Sequence, residues 1–407
     1  MANGKQPMVS IVIPVYNGSN FMREAIDSAL AQTYENIEVL VVNDGSADDG
    51  ATRGIALSYG DRIRYFEKEN GGVSTALNLG LREMRGEYFS WLSHDDWYRP
   101  EKVEHEMSAL LVSGNAELAA FCDCDFVEWP AGTTYRDSYL RYGRELAETG
   151  WFAAAMGLIS GCTLLIPKRL FEKYGGFDEN ERAVQDYLKW FELFRKRRLA
   201  YVDEPLVCSR IHGGQVTANY AEMSADADKL YRWMASSLTE SELRKAGLDL
   251  YEFYGVYLAR WLSKPGFQFV KEYVRNRMLE LPEPADACSR RKALAAKLRE
   301  AGNGQVYVYC VGEFGNRVAA ELRWRGCPAD GIADSDSAMW GHEVQGLICE
   351  SPQELPKEAL IIVANVKPMP IREYLLAQGF RHVQTCMDWD NDFLHTPIQR
   401  EACELLA

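Results

Sequence analysis

The sequence predicts an α/β protein, and three observations support this fold class. Compact β-branched runs, of which Val9 to Val15 and Ile37 to Val42 are the clearest, have the length and composition of buried strands. Between such runs lie stretches whose apolar residues recur with helical spacing, and strands that alternate with helices are typical of a parallel sheet. The chain has 407 residues, which favours two to three domains at roughly 150 residues each.

The first region of the chain repeats this rhythm. The apolar residues of Phe21 to Gln32 fall on one helical face. Further helices and strands then alternate, in the order helix 49–59, strand 63–67, helix 73–84 and strand 88–92. Ligands of parallel sheets bind outside the carboxyl ends of the strands. Asp44 and the run His94-Asp95-Asp96 each follow a predicted strand, so we expect a site at this edge.

The remainder of the chain divides into a helical stretch and a second α/β stretch. Residues 221–301 are helical in pattern, and from residue 302 the strand–turn–helix rhythm returns. We expect a strand at 305–311, a turn at 312–315, a helix at 316–325, and further strands at 331–333 and 359–364. The predicted domains are therefore 1–220, a helical connector at 221–301 and a small accessory domain at 302–407.

Composition excludes several classes of protein. The formal charge is −14, and an acidic chain is a poor candidate for nucleic-acid binding, which needs clustered Lys and Arg. No apolar run is long enough to span a membrane, and no targeting segment is visible. The 10 cysteines include no CxxC pair, which predicts reduced thiols. Together these features predict a cytoplasmic protein.

One basic stretch in the predicted connector has two interpretations. Arg260, Lys264, Lys271, Arg275 and Arg277 are interleaved with aromatic residues, a pattern that suits weak peripheral contact with the inner face of an anionic membrane. The alternative is a packed helix pair with solvated basic faces. We favour the packed pair, because a Pro-Gly pair within the stretch interrupts any long amphipathic stripe.

Four segments contain residues suited to chemistry, and each also has a purely structural interpretation. Asp44 is able to accept a hydrogen bond from a ligand N–H, or to cap a helix. Asp95 and Asp96 suit Mg²⁺ or Mn²⁺ beside a phosphate, or an acidic turn before a helix. Asp186 is a candidate general base, or a carboxylate that complements the start of a helix. His212 is a candidate metal ligand, or an ordinary polar side chain.

Taken in order, the motifs resemble those of the family 2 glycosyltransferases, which have the GT-A fold, a Rossmann-like mixed sheet. The resemblance spans about Met8 to Tyr220. It rests on these segments in this sequence: SIVIPVYN (10–17), VVNDGS (41–46), NGGVSTALN (70–78), WLSHDDW (91–97), GGFD (175–178), Gln185-Asp186 and RIHGGQ (210–215).

The resemblance implies an inverting transfer of sugar from a nucleotide-sugar donor, most simply a UDP-sugar, to a glycan, lipid-linked or protein acceptor. Asp186 matches the catalytic base. Asp95, with Asp96 beside it, and His212 match the corner that holds Mn²⁺ or Mg²⁺ and the diphosphate. The matching donor-binding positions are Pro14, Val15, Tyr16, Asp44, Gly71, Gly72, Asn78 and Asp95.

This sequence departs from the family pattern at three positions. Ser93 replaces the first Asp of the Asp-x-Asp motif, Gln185 replaces the Glu before the base, and Leu77 replaces an Arg in the nucleoside segment. An alternative follows, in which a weak or inactive transferase-like scaffold binds nucleotide sugars or partner glycan enzymes. A scaffold needs none of the retained residues, so their presence favours the enzyme; they are Asp44, Asp95, Asp96, Asp186 and His212.

The C-terminal stretch resembles the small Rossmann-like domain that precedes the repeats of nucleotide-sugar acetyltransferases. Its strand–turn–helix segment, YVYCVGEFG, has half of a dinucleotide-binding fingerprint, with Cys310 in place of the first Gly. Asp334 lies at the spacing of a ribose-binding acid. A ligand-binding module and a structural or docking module both remain open.

Overall fold

The computed structural model describes residues 6–137, 139–181, 184–214, 220–262, 266–365, 368–385 and 395–405. Gln215 of the RIHGGQ motif, and Lys264 and Pro265 of the basic stretch, lie outside these ranges. The chain forms two compact units, one of Met1–Tyr139 with Arg144–Leu230 and the other of Leu140–Gly143 with Tyr231–Ala407. The predicted boundaries at 220 and 301 stay predictions.

A single sheet forms the centre of the first unit. Its strands are β1 (Val9–Val15), β2 (Ile37–Asp44), β3 (Arg64–Lys68), β4 (Tyr88–Trp91), β5 (Trp97–Tyr98), β6 (Ala119–Glu128), β7 (Thr134–Asp137), β8 (Leu164–Pro167) and β9 (Leu199–Ile211). The strand order is β3-β2-β1-β4-β8-β6-β9-β5, with β7 paired to β6.

The direction of the strands changes halfway across this sheet. The pairs β3–β2, β2–β1 and β1–β4 are parallel, as the alternation of strands and helices predicts. Beyond β4 the pairs β4–β8 and β8–β6 are antiparallel, whereas β6 and β9 are parallel. A wholly parallel sheet is therefore wrong for the second half, and the mixed sheet implied by the family resemblance is confirmed.

The helices of the first unit bury apolar faces on this sheet. In α1 (Met22–Leu30) the buried residues are Met22, Ala25, Ile26 and Ala29, at the spacing of one helical face. They pack in one core with β1 and β2, where burying each large aliphatic side chain stabilises the fold by about 1.5–3 kcal/mol. The other helices are α2 (Ala51–Leu57), α3 (Val73–Glu83), α4 (Lys102–Ser113), α5 (Arg144–Ala147), α6 (Gly150–Ala155), α7 (Lys168–Tyr174) and α8 (Gln185–Phe194).

The second unit combines helices with a smaller sheet. Helix α9 (Tyr220–Ser237) follows β9 and belongs to the first unit up to Leu230. The next helices are α10 (Glu240–Lys245), α11 (Leu250–Leu262), α12 (Gln268–Glu280) and α13 (Ala287–Ala301). The strands are β10 (Val306–Tyr309), β11 (Gly331–Ala333), β12 (Glu343–Val344), β13 (Leu347–Glu350), β14 (Leu360–Val363) and β15 (His382–Thr385). The remaining helices are α14 (Glu313–Trp324), α15 (Pro368–Ala377) and α16 (Arg400–Leu405).

The strand order of this sheet is β12-β13-β11-β10-β14-β15, and its β10, β11, β13, β14 and β15 are parallel neighbours. This is the Rossmann arrangement, in which the first strand lies at the centre. The Asp334 carboxylate accepts the backbone N–H groups of Val311 at 2.7 Å and Asp336 at 2.9 Å. The likeness to the acetyltransferase domain stays a prediction.

Two further observations bear on the class of protein. Within the described ranges, every helix is too short or too polar to cross a lipid bilayer. The cysteines of those ranges are free thiols, and most are buried.

Candidate active site

The loops after β1 and β2 leave the sheet at the same edge because the two strands are parallel neighbours. Pro14 and Val15 are buried at the end of β1, whereas Tyr16 is 48% exposed. The Asn17 N–H donates to Ser46 Oγ at 2.8 Å, and Asn17 Oδ1 accepts the Ala47 N–H at 2.8 Å. These bonds join the two loops into one rim and leave the Tyr16 side chain at the surface.

Asp44 is the last residue of β2, and its buried carboxylate organises the loop before α3. Oδ1 accepts the Gly71 N–H at 3.1 Å and pairs with Lys68 Nζ at 2.5 Å, while Oδ2 accepts the Gly72 N–H at 2.8 Å. Gly72 has φ +90°, in the left-handed region that glycine adopts without strain. A carboxylate has about four acceptor positions, so the single bond at Oδ2 leaves capacity for a ligand N–H.

Asn78 clamps a loop that lies 99 residues further along the chain. Its Nδ2 donates to the Phe177 carbonyl at 2.9 Å, and its Oδ1 accepts the Phe177 N–H at 2.8 Å. Phe177 in turn lies edge-on to Trp91, at 6.2 Å between ring centroids, and to Trp190, at 5.6 Å. The amide of Asn78 thus connects the end of β4 with α8 instead of facing open solvent.

Asp95 and His212 approach each other at the end of β4. His212 Nε2 lies 3.3 Å from Asp95 Oδ2, and the two side chains are 14% and 15% exposed. The Gly214 N–H donates to His212 Nδ1 at 3.2 Å, so Nε2 is the nitrogen that faces Asp95, and it ligates a cation only in its unprotonated form. The pair is accessible, and it offers one carboxylate and one imidazole to a ligand.

Asp96 turns inward, unlike its neighbour Asp95. Its Oδ1 accepts the Arg210 N–H at 2.9 Å, and its Oδ2 lies 3.4 Å from Cys162 Sγ. Burial, together with the charge of Asp95, raises the pKa of Asp96. Cys162 Sγ also accepts the Ser93 N–H at 3.3 Å. Asp96 therefore holds the 93–96 loop against the core, and its oxygens are not presented to a metal as the sequence suggested.

Arg210, the first residue of the RIHGGQ motif, was given no role from the sequence, and it contacts the loop that contains Asp95. Its Nε donates to the Asp95 carbonyl at 3.0 Å, and its terminal nitrogen pairs with Glu24. The guanidinium also lies over three aromatic rings, those of Phe21 at 4.2 Å, Trp97 at 4.9 Å and Trp129 at 4.8 Å. An Arg two residues before His212 was the available signal, but only the fold shows that it is buried.

Asp186 lies in the first turn of α8, as the sequence predicts. Its residue is only partly exposed, and burial raises the pKa of its carboxyl to about 6, although a backbone N–H bond from Tyr187 opposes this shift. A carboxylate of that pKa is mostly ionised near neutral pH and is more basic than an ordinary Asp. Asp186 is thus a carboxylate suited to accepting a proton.

Few side chains of the described residues are placed to ligate a divalent metal. No group of three or more Asp, Glu, His or Cys side chains close enough to hold a metal occurs among the described residues. Asp95 and His212 supply two donors, which fits a cation that is also bound by substrate phosphates, since Mg²⁺ and Mn²⁺ commonly use one or two protein carboxylates in such sites. The residues present fit a metal only together with a diphosphate.

Comparison with known proteins identifies the family. The family model for glycosyl transferase family 2 matches residues 10–175. An uncharacterized glycosyltransferase of Rickettsia prowazekii is 44% identical over 66% of this chain and 83% of its own length, and one of Rickettsia typhi is 46% identical over 67% and 84%. The chain belongs to glycosyltransferase family 2.

A solved transferase structure confirms the fold of this family 2 protein. TarS 1–349 of S. aureus, crystallised with UDP-GlcNAc, superposes with a TM-score of 0.50 at 16% identity and covers 78% of this chain and 86% of that one. The chain is thus a family 2 glycosyltransferase with a GT-A-type α/β fold, as its motifs indicated.

Proposed function

We propose that this family 2 protein is an inverting glycosyltransferase in which Asp186 acts as the general base. The observation that supports this most is a carboxyl of pKa about 6 in the first turn of α8. Through Trp190 and Phe177 that helix packs towards Trp91, the last residue before the loop that contains Asp95.

The reaction is a single displacement. Asp186 accepts the proton of an acceptor hydroxyl while that oxygen forms a bond to the anomeric carbon of the donor sugar. The bond from the anomeric carbon to the diphosphate breaks at the same time, and its electron pair leaves with the diphosphate. A positioned carboxylate base typically accelerates such a step by about 10²–10⁴-fold.

The Asp95–His212 pair would hold the cation at the diphosphate. A divalent ion, when bound, supplies positive charge that stabilises the leaving diphosphate. We assign Asp96 to a different task, which is to fix the 93–96 loop so that Asp95 faces His212. Ser93, which replaces an Asp of the family motif, is bonded to Cys162 and is not assigned as a ligand.

The donor pocket would be formed by the rim of β1 and by the loop that Asp44 holds. Pro14, Val15 and Tyr16 would frame the nucleotide, and the remaining acceptor capacity of Asp44 Oδ2 suits the N–H of a uracil ring. TarS binds UDP-GlcNAc, and a UDP-sugar is the donor class that we propose here. Asn78 would act through the 175–178 loop instead of contacting the nucleoside.

A donor screen tests the proposal. Purified protein is incubated with UDP-, GDP- and dTDP-sugars and Mn²⁺, and released nucleotide is measured with and without EDTA. We expect turnover of a UDP-sugar that EDTA abolishes and added Mn²⁺ or Mg²⁺ restores. Absence of turnover and of binding for every donor would instead support the scaffold, and full activity in EDTA would contradict the assignment of Asp95 and His212.

A further inference from the structure

An exposed tryptophan stands at the rim of the candidate active site. Trp129 follows β6 at the start of the turn that leads to β7, and it is 51% exposed. The backbone N–H of Trp129 donates to the Ile211 carbonyl at 2.8 Å. The adjoining turn is closed by a hydrogen bond from the backbone N–H of Gly132 to the Glu128 carbonyl at 2.7 Å. These hydrogen bonds hold the main chain from which the Trp129 side chain projects.

The position of Trp129 connects it with the proposed metal corner. The Phe21 ring lies edge-on to Trp129, with centroids 5.9 Å apart, and lies 5.0 Å from the imidazole of His212. One aromatic ring therefore separates the exposed indole from the residue that contacts Asp95. An acceptor bound against Trp129 would lie next to the donor diphosphate.

Arg210 supports the indole from within the fold. The guanidinium carbon lies 4.8 Å from the centre of the Trp129 ring and is itself buried, held by Glu24 and by the Asp95 carbonyl. A cation over one face fixes the ring by attraction to its π electrons. The exposed part of the ring is thereby held at a set angle as a flat apolar surface.

We infer that Trp129 is the platform on which the acceptor binds, and that the acceptor presents a sugar ring to it. The C–H groups on one face of a pyranose are polarised by the neighbouring oxygens, and they are attracted to the negative face of an indole. This inference rests on the proposed function and specifies its acceptor class.

The charge around Trp129 favours a sugar over an anionic lipid surface. Glu128 is exposed directly before it, and the Glu24 side chain beside Arg210 is 52% exposed. Anionic membranes attract basic segments, whereas here an exposed Glu128 precedes Trp129 in the chain and Glu24 neutralises the Arg210 cation beneath the ring. Hydroxyl groups of a sugar would be able to donate hydrogen bonds to these carboxylates.

The inference is tested with methyl glycosides of glucose, galactose, mannose and N-acetylglucosamine, because their aglycone cannot stack on a ring. Binding is measured by saturation-transfer NMR on the full chain with UDP and Mn²⁺ present. We expect at least one glycoside to bind through the C–H protons of one face. Trp129→Ala should weaken that binding about tenfold, the order expected of one lost ring contact, and Trp129→Phe should recover most of it.

Trp233→Ala is the matched control, since Trp233 is 47% exposed on α9 and should leave glycoside binding unchanged. Circular dichroism checks that each variant is folded. Equal glycoside binding by wild type and Trp129→Ala, or no glycoside binding by wild type, would overturn the inference. So would loss of binding to phosphatidylglycerol vesicles in Trp129→Ala with glycoside binding intact, because that result assigns Trp129 to lipid.

The donor screen separates this inference from the proposed function. If a nucleotide sugar is turned over but Trp129→Ala binds glycosides as well as wild type, the proposed transferase function stands and the role of Trp129 as acceptor platform is refuted. If glycoside binding depends on Trp129 but no donor is turned over, the role of Trp129 stands and the proposed transferase function is refuted.

Discussion

The acidity of Asp186 predicts a pH profile that an ordinary aspartate would not produce. Burial favours the neutral carboxyl and raises its pKa to about 6. A base works only when ionised, so its active fraction is about 0.9 at pH 7 and about 0.1 at pH 5. We therefore expect kcat/KM to fall about tenfold between these pH values, whereas a carboxyl of ordinary pKa near 3.9 would lose less than about a tenth of its active fraction.

The assay measures nucleotide released with a transferred donor at saturating Mn²⁺ from pH 4.5 to 8. Near-UV circular dichroism at each pH shows that the fold persists, and the residual activity of Asp186→Asn serves as the control, since it should lack the acid limb near pH 6. A profile that stays flat down to pH 5 would refute the reasoning. The same limb in Asp186→Asn would assign it to another group.

Two further predictions concern the packing that positions the site. Lys102 and Glu106 form a fully buried ion pair on α4, with 2.9 Å between Nζ and Oε2. Lys102→Met alone should lower the free energy of unfolding by about 3 kcal/mol, because it leaves a buried carboxylate unpaired. The double variant Lys102→Met with Glu106→Leu should have a free energy of unfolding close to that of wild type, as measured by urea unfolding. Equal destabilisation of single and double variants would contradict this account. A Cβ at Gly161 would lie 2.1 Å from Trp91 Cε3, so Gly161→Ala should cost about 1–3 kcal/mol. A Cβ at Gly54 in α2 would have no neighbouring atom within 4 Å, so Gly54→Ala should stabilise the protein by about 0.5–1 kcal/mol. A similar melting temperature for Gly161→Ala and Gly54→Ala would be inconsistent with a clash at Gly161.

Local sequence patterns predicted the first half of the main sheet well. The β-branched run of β1 and the apolar spacing of α1 each determine their element locally, and alternation with helices makes the first strands parallel. The antiparallel half depends on long-range pairing. For example, β8 enters between β4 and β6, and no short pattern specifies such an order.

The order of motifs along the chain was sufficient to identify several candidate residues. It did not predict contacts between residues that lie far apart in the sequence. Asp44, Asp95 and Asp186 follow strands or open a helix, so motif order identified them as candidates. Arg210 contacts the carbonyl of a residue 115 positions earlier, and Asn78 clamps a loop 99 positions later. The partners of these two residues become evident only in the folded chain, so no local motif predicts these contacts.

The central claim is that Asp186 accepts the acceptor proton, and the most direct test compares wild type with Asp186→Asn. Transfer from the active nucleotide sugar and affinity for the matching nucleotide are measured side by side at pH 7.5. The account predicts that transfer falls by about 10²–10⁴-fold while the variant stays folded and binds the nucleotide as tightly as wild type. Transfer by Asp186→Asn at the wild-type rate would contradict it.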